Sequence, residues 1–318
     1  MPLATLTSLD NPRIKTVVKL REQRNRRQSG LLVAEGVRQV ERAIESGLKM
    51  HDGFVCTAVV KAADHDSVEA MLSVADQAGA AAQWFDVNEP LMRKMAYRQN
   101  PQGVLAVFEQ PSWDLAALQK GGETGAPLWL VAVGTTKPGN LGAMVRSAEA
   151  AGAWGVLVAD GVVDAFNPNA IQASTGAVFT LPVVSLDTRM ILLFLSAGAV
   201  QLVVATPGAC ACYAQVDLTR PTALVIGAED RGLASPWVVG SPQPRRSGSS
   251  AAPQLPRGLA VHRVSIPSRG RTVDSLNASA AAAVLLFEAV RQRDIHGTAE
   301  GSGTGGGSGG SGGSGQVM

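Results

Sequence analysis

The chain of 318 residues is 46% apolar and 17% charged with a formal net charge of +2. That suits two domains with separate cores and excludes a chain disordered throughout. Aromatics make up 4% against 35 Gly and 17 Pro, so the interior is expected to be Ala, Val, Leu and Ile, the material of α/β layers. The cysteines Cys56, Cys210 and Cys212 form neither an even disulfide framework nor a zinc spacing, which points to a reducing, cytoplasmic setting and to no metal. Residues 1–5 lack a charged start followed by an apolar core, and the longest apolar run, 191–205, is broken by Ser196, Gly198 and Gln201. Neither a secretory signal nor a membrane span is expected.

Residues 11–27 hold Arg13, Lys15, Lys19, Arg21, Arg24, Arg26 and Arg27 against one acid, Glu22. The segment reads as a contact for a polyanion or as a solvated helix face over the apolar stripe Ile14, Val17, Val18 and Leu20. A strand at 31–33, a helix at 37–46 ending at Gly47, a strand at 54–60, a helix near 67–78 and a strand at 104–108 follow. They predict a small α/β domain over 1–110. Residues 111–126, with Pro111, Gly121, Gly122 and Gly125, read as a linker. Continuous apolar strands at 128–133, 155–159, 201–205 and 223–226 then predict a parallel sheet buried on both faces within a domain over 127–296. Residues 235–258, rich in Pro, Ser, Gly and Arg, read as a long exposed loop that is either merely disordered or a second polyanion contact through Arg245, Arg246 and Arg257. Residues 297–318 read as a flexible Gly/Ser tail.

Three loops carry polar residues at strand ends. The first, Gly134-Thr135-Thr136-Lys137-Pro138-Gly139-Asn140-Leu141-Gly142, has Asn140 and Leu141 where a triphosphate-binding loop needs Lys and Ser or Thr, so that reading fails. No dinucleotide fingerprint is present either. Asn140 is expected to cap the helix running to Gly152, with Leu141, Met144, Val145 and Ala148 buried and Arg146 on the open face. The second loop is Gly227-Ala228-Glu229-Asp230-Arg231-Gly232-Leu233. The third runs from Ile266-Pro267 to Ser275-Leu276-Asn277 and feeds an Ala-rich helix from Ala278; Asp274 or Ser275 is its expected N-cap.

In this order the segments Pro138-Gly139-Asn140-Leu141-Gly142-Ala143 with Arg146-Ser147-Ala148-Glu149, Gly227-Ala228-Glu229 with Gly232-Leu233, and Ile266-Pro267 with Ser275-Leu276-Asn277 resemble the three motifs of the SpoU (TrmH-like) RNA 2′-O-ribose methyltransferases of the SPOUT superfamily. Ala173-Ser174-Thr175-Gly176-Ala177 and residues 286–293 are similar to that family as well. The front of the chain, through Ser8, Asn11-Pro12, the basic stretch, Val33-Ala34-Glu35-Gly36 and Pro101-Gln102-Gly103-Val104, resembles the substrate-binding domain related to kink-turn-binding ribosomal proteins.

The resemblance implies a C-terminal SPOUT domain with a deep trefoil knot, a rare exception to unthreaded connections. It also implies a homodimer through that domain and S-adenosyl-L-methionine bound by Gly227, Ile266 and Leu276. The implied reaction is methyl transfer to a ribose 2′-hydroxyl, most simply in ribosomal RNA, with Arg146 central and Asn140, Glu229, Ser275 and Asn277 arranging the site. Lys15, Lys19, Arg24, Arg26 and Arg27 are the candidate RNA contacts. A transfer RNA enzyme, an antibiotic-resistance enzyme of the same chemistry and an inactive RNA-binding relative remain open at this point. Lys137 stands where an acid often precedes Pro-Gly-Asn, Asp230 replaces a frequent glycine, and the third motif is one residue longer than usual.

Overall fold

A computed structural model describes residues 3–77, 83–120, 125–161, 163–229, 232–233, 236–237, 255–256, 258–270 and 275–301. The first sheet is built from β1 (Ala4–Leu6), β2 (Leu31–Glu35), β3 (Met50–Val55), β4 (Gln83–Val87) and β5 (Val104–Glu109). Their order is β1-β4-β3-β5-β2, with β5 antiparallel to both neighbours and β1, β4 and β3 mutually parallel. Helices α1 (Pro12–Lys19), α2 (Gln23–Ser29), α3 (Val37–Glu45), α4 (His65–Gln77) and α5 (Glu89–Met95) fill the intervals. Alternation along β5 divides the core: Val104, Ala106 and Phe108 join Val37 and Val40 of α3 on one face, while Leu105 and Val107 meet Ile14, Val17, Leu91 and Met95 on the other.

Three expectations change here. The basic segment is two helices, because α1 stops at Leu20 and the chain restarts after an extended Glu22. The strand expected at 54–60 occupies 50–55, since the Cys56 carbonyl accepts from the amides of Val59 and Val60 in a turn. That turn packs against Gly103, at φ +80°, where a Cβ would lie 2.7 Å from the Val60 amide nitrogen. Finally, the expected linker contains α6 (Leu115–Lys120), whose Leu118 is fully buried and accepts from Trp129 Nε1 at 3.3 Å.

The second sheet holds β6 (Leu128–Val133), β7 (Gly155–Ala159), β8 (Val183–Leu186), β9 (Gln201–Ala205), β10 (Ala211–Cys212), β11 (Thr222–Ile226) and β12 (Val261–Ser265). All seven strands are parallel, in the order β10-β12-β9-β11-β6-β7-β8. Helices α7 (Pro138–Ala150), α8 (Pro168–Ser174), α9 (Thr188–Ala197) and α10 (Ala278–Gly301) cover it. Leu128, Leu130 and Ala132 pack under α7 and α10, while Trp129, Val131 and Val133 pack under α9. The same second face takes Trp237, 2% exposed, together with Leu255. At the described ends of the 235–258 segment Pro236 and Trp237 are buried and Leu255 and Pro256 half-buried, while Gly258 is exposed as expected. Its Arg245, Arg246 and Arg257 lie outside the described residues, as do Asp230, Asp274 and the Gly/Ser tail beyond Gly301. The first tail residues, 297–301, correct the expectation of a flexible tail from 297, because α10 continues through them.

The two sheets meet across α8. Arg98 Nε donates to Gln172 Oε1 at 3.0 Å and Asn169 Nδ2 to the Tyr97 hydroxyl at 3.2 Å. Glu35, at the end of β2, accepts from the Tyr97 amide at 2.7 Å, and burial pushes its carboxyl up. Arg26 corrects an expectation. Its side chain is 1% exposed, its Nε and Nη2 each lie 2.7 Å from Asp164 Oδ2, and its Nη1 donates to the Leu20 and Arg21 carbonyls. It is a cation sealed in the domain interface, with none of its surface turned to a polyanion. Removing one partner of a buried pair strands the other charge, so Arg26→Ala should lower stability by about 3–5 kcal/mol. Urea unfolding should show that loss, and Arg26→Met with Asp164→Leu should recover most of it; a loss below about 1 kcal/mol would place the pair among solvated ones.

Candidate functional site

The loops after β6, β9, β11 and β12 all leave the C-terminal edge of the parallel sheet, where open α/β sheets bind ligands. Pro138 occupies the first turn of α7 and Lys137 is the N-cap residue, with no side-chain capping bond. Asn140 therefore does not cap the helix, contrary to the sequence expectation. Sitting two residues inside, it directs its amide across to the other loops: Nδ2 lies 3.5 Å from Glu229 Oε2, and Oδ1 accepts from Asn277 Nδ2 at 3.4 Å. Leu141, Met144, Val145 and Ala148 form the buried face. Gly142 is forced by contact with α8, since a Cβ there would lie 2.3 Å from the Ala170 carbonyl oxygen.

Asn277 takes the capping role expected of Asp274 or Ser275. Its Oδ1 accepts from the Ser279 amide at 2.9 Å and from the Ser279 hydroxyl at 2.6 Å, and its carbonyl accepts from the Ala281 amide. The remaining Asn277 donor reaches Glu229 Oε1 at 3.1 Å, while Lys137 Nζ lies 2.6 Å from Glu229 Oε2. One carboxylate thus joins all three loops. The Lys137 ammonium first, and then the Asn277 amide, hold the Glu229 carboxyl below the usual carboxylate range.

Gly227 is required by its own loop. The Gly232 amide donates to the Ala228 carbonyl at 2.8 Å, folding the loop back so that a Cβ on Gly227 would lie 2.7 Å from the Gly232 backbone. The folded loop, the end of β12 and the start of α10 enclose a cleft of about 780 Å³, and Gly227, Ile266, Leu276, Ser275 and Glu229 all line it. Sequence reasoning missed its fourth wall, Thr206-Pro207-Gly208 at the end of β9. The signal was an apolar parallel strand ending in Thr-Pro-Gly. The Thr206 hydroxyl is sealed from solvent with no hydrogen-bond partner among the described residues.

Arg146 is not brought into this cluster. It lies six residues beyond Asn140 on the exposed face of α7 and makes no hydrogen bond or ion pair among the described residues. The basic stretch also divides. Arg13 pairs with Asp52 and stacks over Phe85, Lys15 pairs with Asp10 at 2.8 Å, and Arg21 donates to the Lys94 and Ala96 carbonyls. Lys19, Arg24 and Arg27 remain exposed, and the two arginines line an open groove with Gln23 and Gln28. Among the described residues no three His, Cys, Asp or Glu side chains gather as a metal site, and no helix is long and apolar enough to cross a membrane.

Comparison with known proteins places these features in one family. Residues 11–106 match the MRM3-like substrate binding domain and residues 127–240 match the SpoU rRNA Methylase family. A 23S rRNA (uridine(2479)-2′-O)-methyltransferase of Streptomyces viridochromogenes is 30% identical over 92% of this chain and 94% of its own length. Among solved structures, an RNA 2′-O ribose methyltransferase is 34% identical with a TM-score of 0.71, covering 91% of this chain and 99% of that one. An AdoMet-bound rRNA methyltransferase from Sinorhizobium meliloti is 27% identical with a TM-score of 0.72, covering 91% and 98%. The chain belongs to the SpoU rRNA methylase family, with an α/β substrate-binding domain ahead of the parallel-sheet domain.

The cluster makes a titration prediction. Because the folded Glu229 carboxyl titrates below its unfolded value, the stability it contributes is full above the unfolded pKa and is lost as pH falls through the folded one. Asn277→Ala removes one of the donors, so the Glu229 carboxyl carbon followed by NMR should titrate at higher pH than in the unaltered chain. An unchanged titration would mean that the amide does not hold the carboxylate in solution.

Proposed function

We propose that the chain is an S-adenosyl-L-methionine-dependent methyltransferase that methylates a ribose 2′-hydroxyl of ribosomal RNA. The observation that carries this is the convergence of Asn140, Glu229 and Asn277 at the rim of a cleft lined by Gly227, Ile266 and Leu276. The cleft suits the cofactor: about 780 Å³ is within the range of small-molecule sites, and its walls combine apolar side chains with backbone groups. When bound, the cofactor supplies an electrophilic sulfonium methyl group.

The chain's residues then orient the attacking hydroxyl and stabilise its charge. Glu229, held ionised, fixes the amides of Asn140 and Asn277 as one unit, and Ser275 adds a hydroxyl at the cleft wall. Arg146 is assigned the central role, stabilising the developing alkoxide. It acts through the charge and fixed donor fork of its guanidinium rather than as a base. Residues 1–110 form the RNA-binding domain, similar to kink-turn-binding ribosomal proteins, and 127–296 form the SPOUT domain. A trefoil knot is supported by β11 lying between β6 and β9 and by β12 lying between β9 and β10. A homodimer through this domain is supported by the uncovered apolar side of α10, where Phe287 is 49% exposed. A cytoplasmic setting agrees with three free cysteines.

Mass spectrometry of ribosomal RNA from cells with and without the protein should locate one lost ribose methyl group. Arg146→Ala should reduce methyl transfer at least about tenfold, a barrier change of about 1.4 kcal/mol or more, with cofactor affinity by calorimetry within a few fold. Retention of most of the rate would remove Arg146 from the central role. Replacing Arg24 and Arg27 together with Ala should weaken RNA binding broadly and flatten its log–log salt dependence by about 1.4, at about 0.7 per phosphate on single strands. An unchanged slope in a filter-binding titration would mean that these arginines form only a solvated helix face.

A further inference from the structure

Among the described residues, the one cation in contact with Glu229 is the ammonium of Lys137, and it comes from the cap of α7 rather than from the helix face that bears Arg146. Its side chain is 67% exposed although Nζ lies 2.6 Å from Glu229 Oε2. With Thr135, Asn140, Ala228 and Glu229 it lines a small notch beside the cofactor cleft. An ion pair this open to water contributes little to stability. The carboxylate also has another anchor, because Asn277 holds its second oxygen at 3.1 Å.

The chemistry of RNA supplies a reason for a cation at this place. Every internal ribose carries a phosphodiester on the 3′ oxygen adjacent to its 2′-hydroxyl, so a hydroxyl brought to the Asn140–Glu229–Asn277 cluster brings a phosphate with it. That phosphate would meet the Glu229 carboxylate at close range, and two anions near a protein surface repel appreciably. An ammonium already seated on the carboxylate cancels the repulsion, and its three N–H donors can be shared between a carboxylate and a phosphate oxygen.

We propose that Lys137 receives the phosphodiester 3′ to the target ribose, bridging it to Glu229 and setting how deeply the 2′-hydroxyl enters the site. The proposal rests on the ribose methyltransferase reading above. A compact point charge suits the task, because it fixes the position of a phosphate without selecting the base attached to it. Selection of the nucleotide then falls to other surfaces, and Lys137 contributes depth and register.

The test compares Lys137→Met and Lys137→Arg with the unaltered full-length chain in methyl transfer to ribosomal RNA, RNA binding against salt, cofactor calorimetry and thermal melting. Lys137→Met should raise the RNA KM by about tenfold and flatten the salt slope by about 0.7, with Lys137→Arg restoring most of both. Cofactor affinity and melting temperature should stay near those of the unaltered chain. An unchanged KM and salt slope would overturn the proposal. So would a loss of cofactor affinity with an unchanged slope, which would make Lys137 only a tie for Glu229. Should Lys137→Met fail to fold, Lys137→Gln gives the same comparison. An unaltered chain that binds RNA but transfers no methyl group would count against the methyltransferase reading, and the slope comparison would still decide Lys137.

Discussion

The Glu229 carboxylate is the point through which the site holds together. Among the described residues the three loops, which leave different strands, share no backbone hydrogen bond across the cluster, and it is Glu229 that accepts from Lys137, Asn140 and Asn277 at once. Each contact is exposed and individually weak. Their value lies in geometry, because a carboxylate has enough acceptor positions for all three donors and fixes the loops relative to one another. Since Asn277 also caps α10, the carboxylate sets where that helix begins, and the first turn of α10 forms a wall of the cleft. Cleft wall and polar rim are therefore parts of one hydrogen-bonded unit.

Charge is distributed in the same economical way. The basic stretch looks like a polyanion surface in sequence, yet Arg13, Lys15 and Arg26 are matched by Asp52, Asp10 and Asp164, and Arg21 is taken up by backbone carbonyls. Arginine serves that last purpose well because its fork donates several bonds in fixed directions. Arg293 does the same at the other end of the chain, tying α10 to the carbonyls of Ala126, Pro127, Leu218 and Arg220. The cations of that stretch left exposed and without an ion pair among the described residues are Lys19, Arg24 and Arg27, on α1 and α2.

The parallel sheet was legible because its central strands are buried on both faces: 128–133, 155–159 and 201–205 coincide with β6, β7 and β9. The strands missed in sequence are short or polar at one end. β1 has three residues and β10 two, β4 begins at exposed Gln83, and β12 contains His262 and Arg263. The cap of α7 was misassigned because Asn is a good cap in isolation, and Pro138 moved the start of the helix two residues earlier than Asn140. The cluster residues themselves were legible from their motifs, but the partnership of Lys137 with Glu229 was not. It joins residues 92 apart in sequence, a distance that only the parallel topology closes. The burial of Arg26 was hidden for the same reason, since its partner belongs to the other sheet.

Methyl transfer to one hydroxyl of a large RNA requires that the surface holding the RNA and the cleft holding the methyl donor keep a fixed separation, because small displacements of reacting groups cost large factors in rate. Helix α8 meets that requirement. One side of it receives Tyr97 and Arg98 from the first domain through Asn169 and Gln172. The other side is packed so closely on α7 that Gly142 has no room for a side chain. Arg26, inside the interface, closes the remaining gap to Asp164. A two-domain protein joined by a loose linker would have to find the register of its substrate anew at each encounter. Here the residues between the domains include a helix with Leu118 buried under the second sheet. The position of the first sheet relative to Asn140 is thus carried by packed helices and a buried ion pair, which have few alternative arrangements.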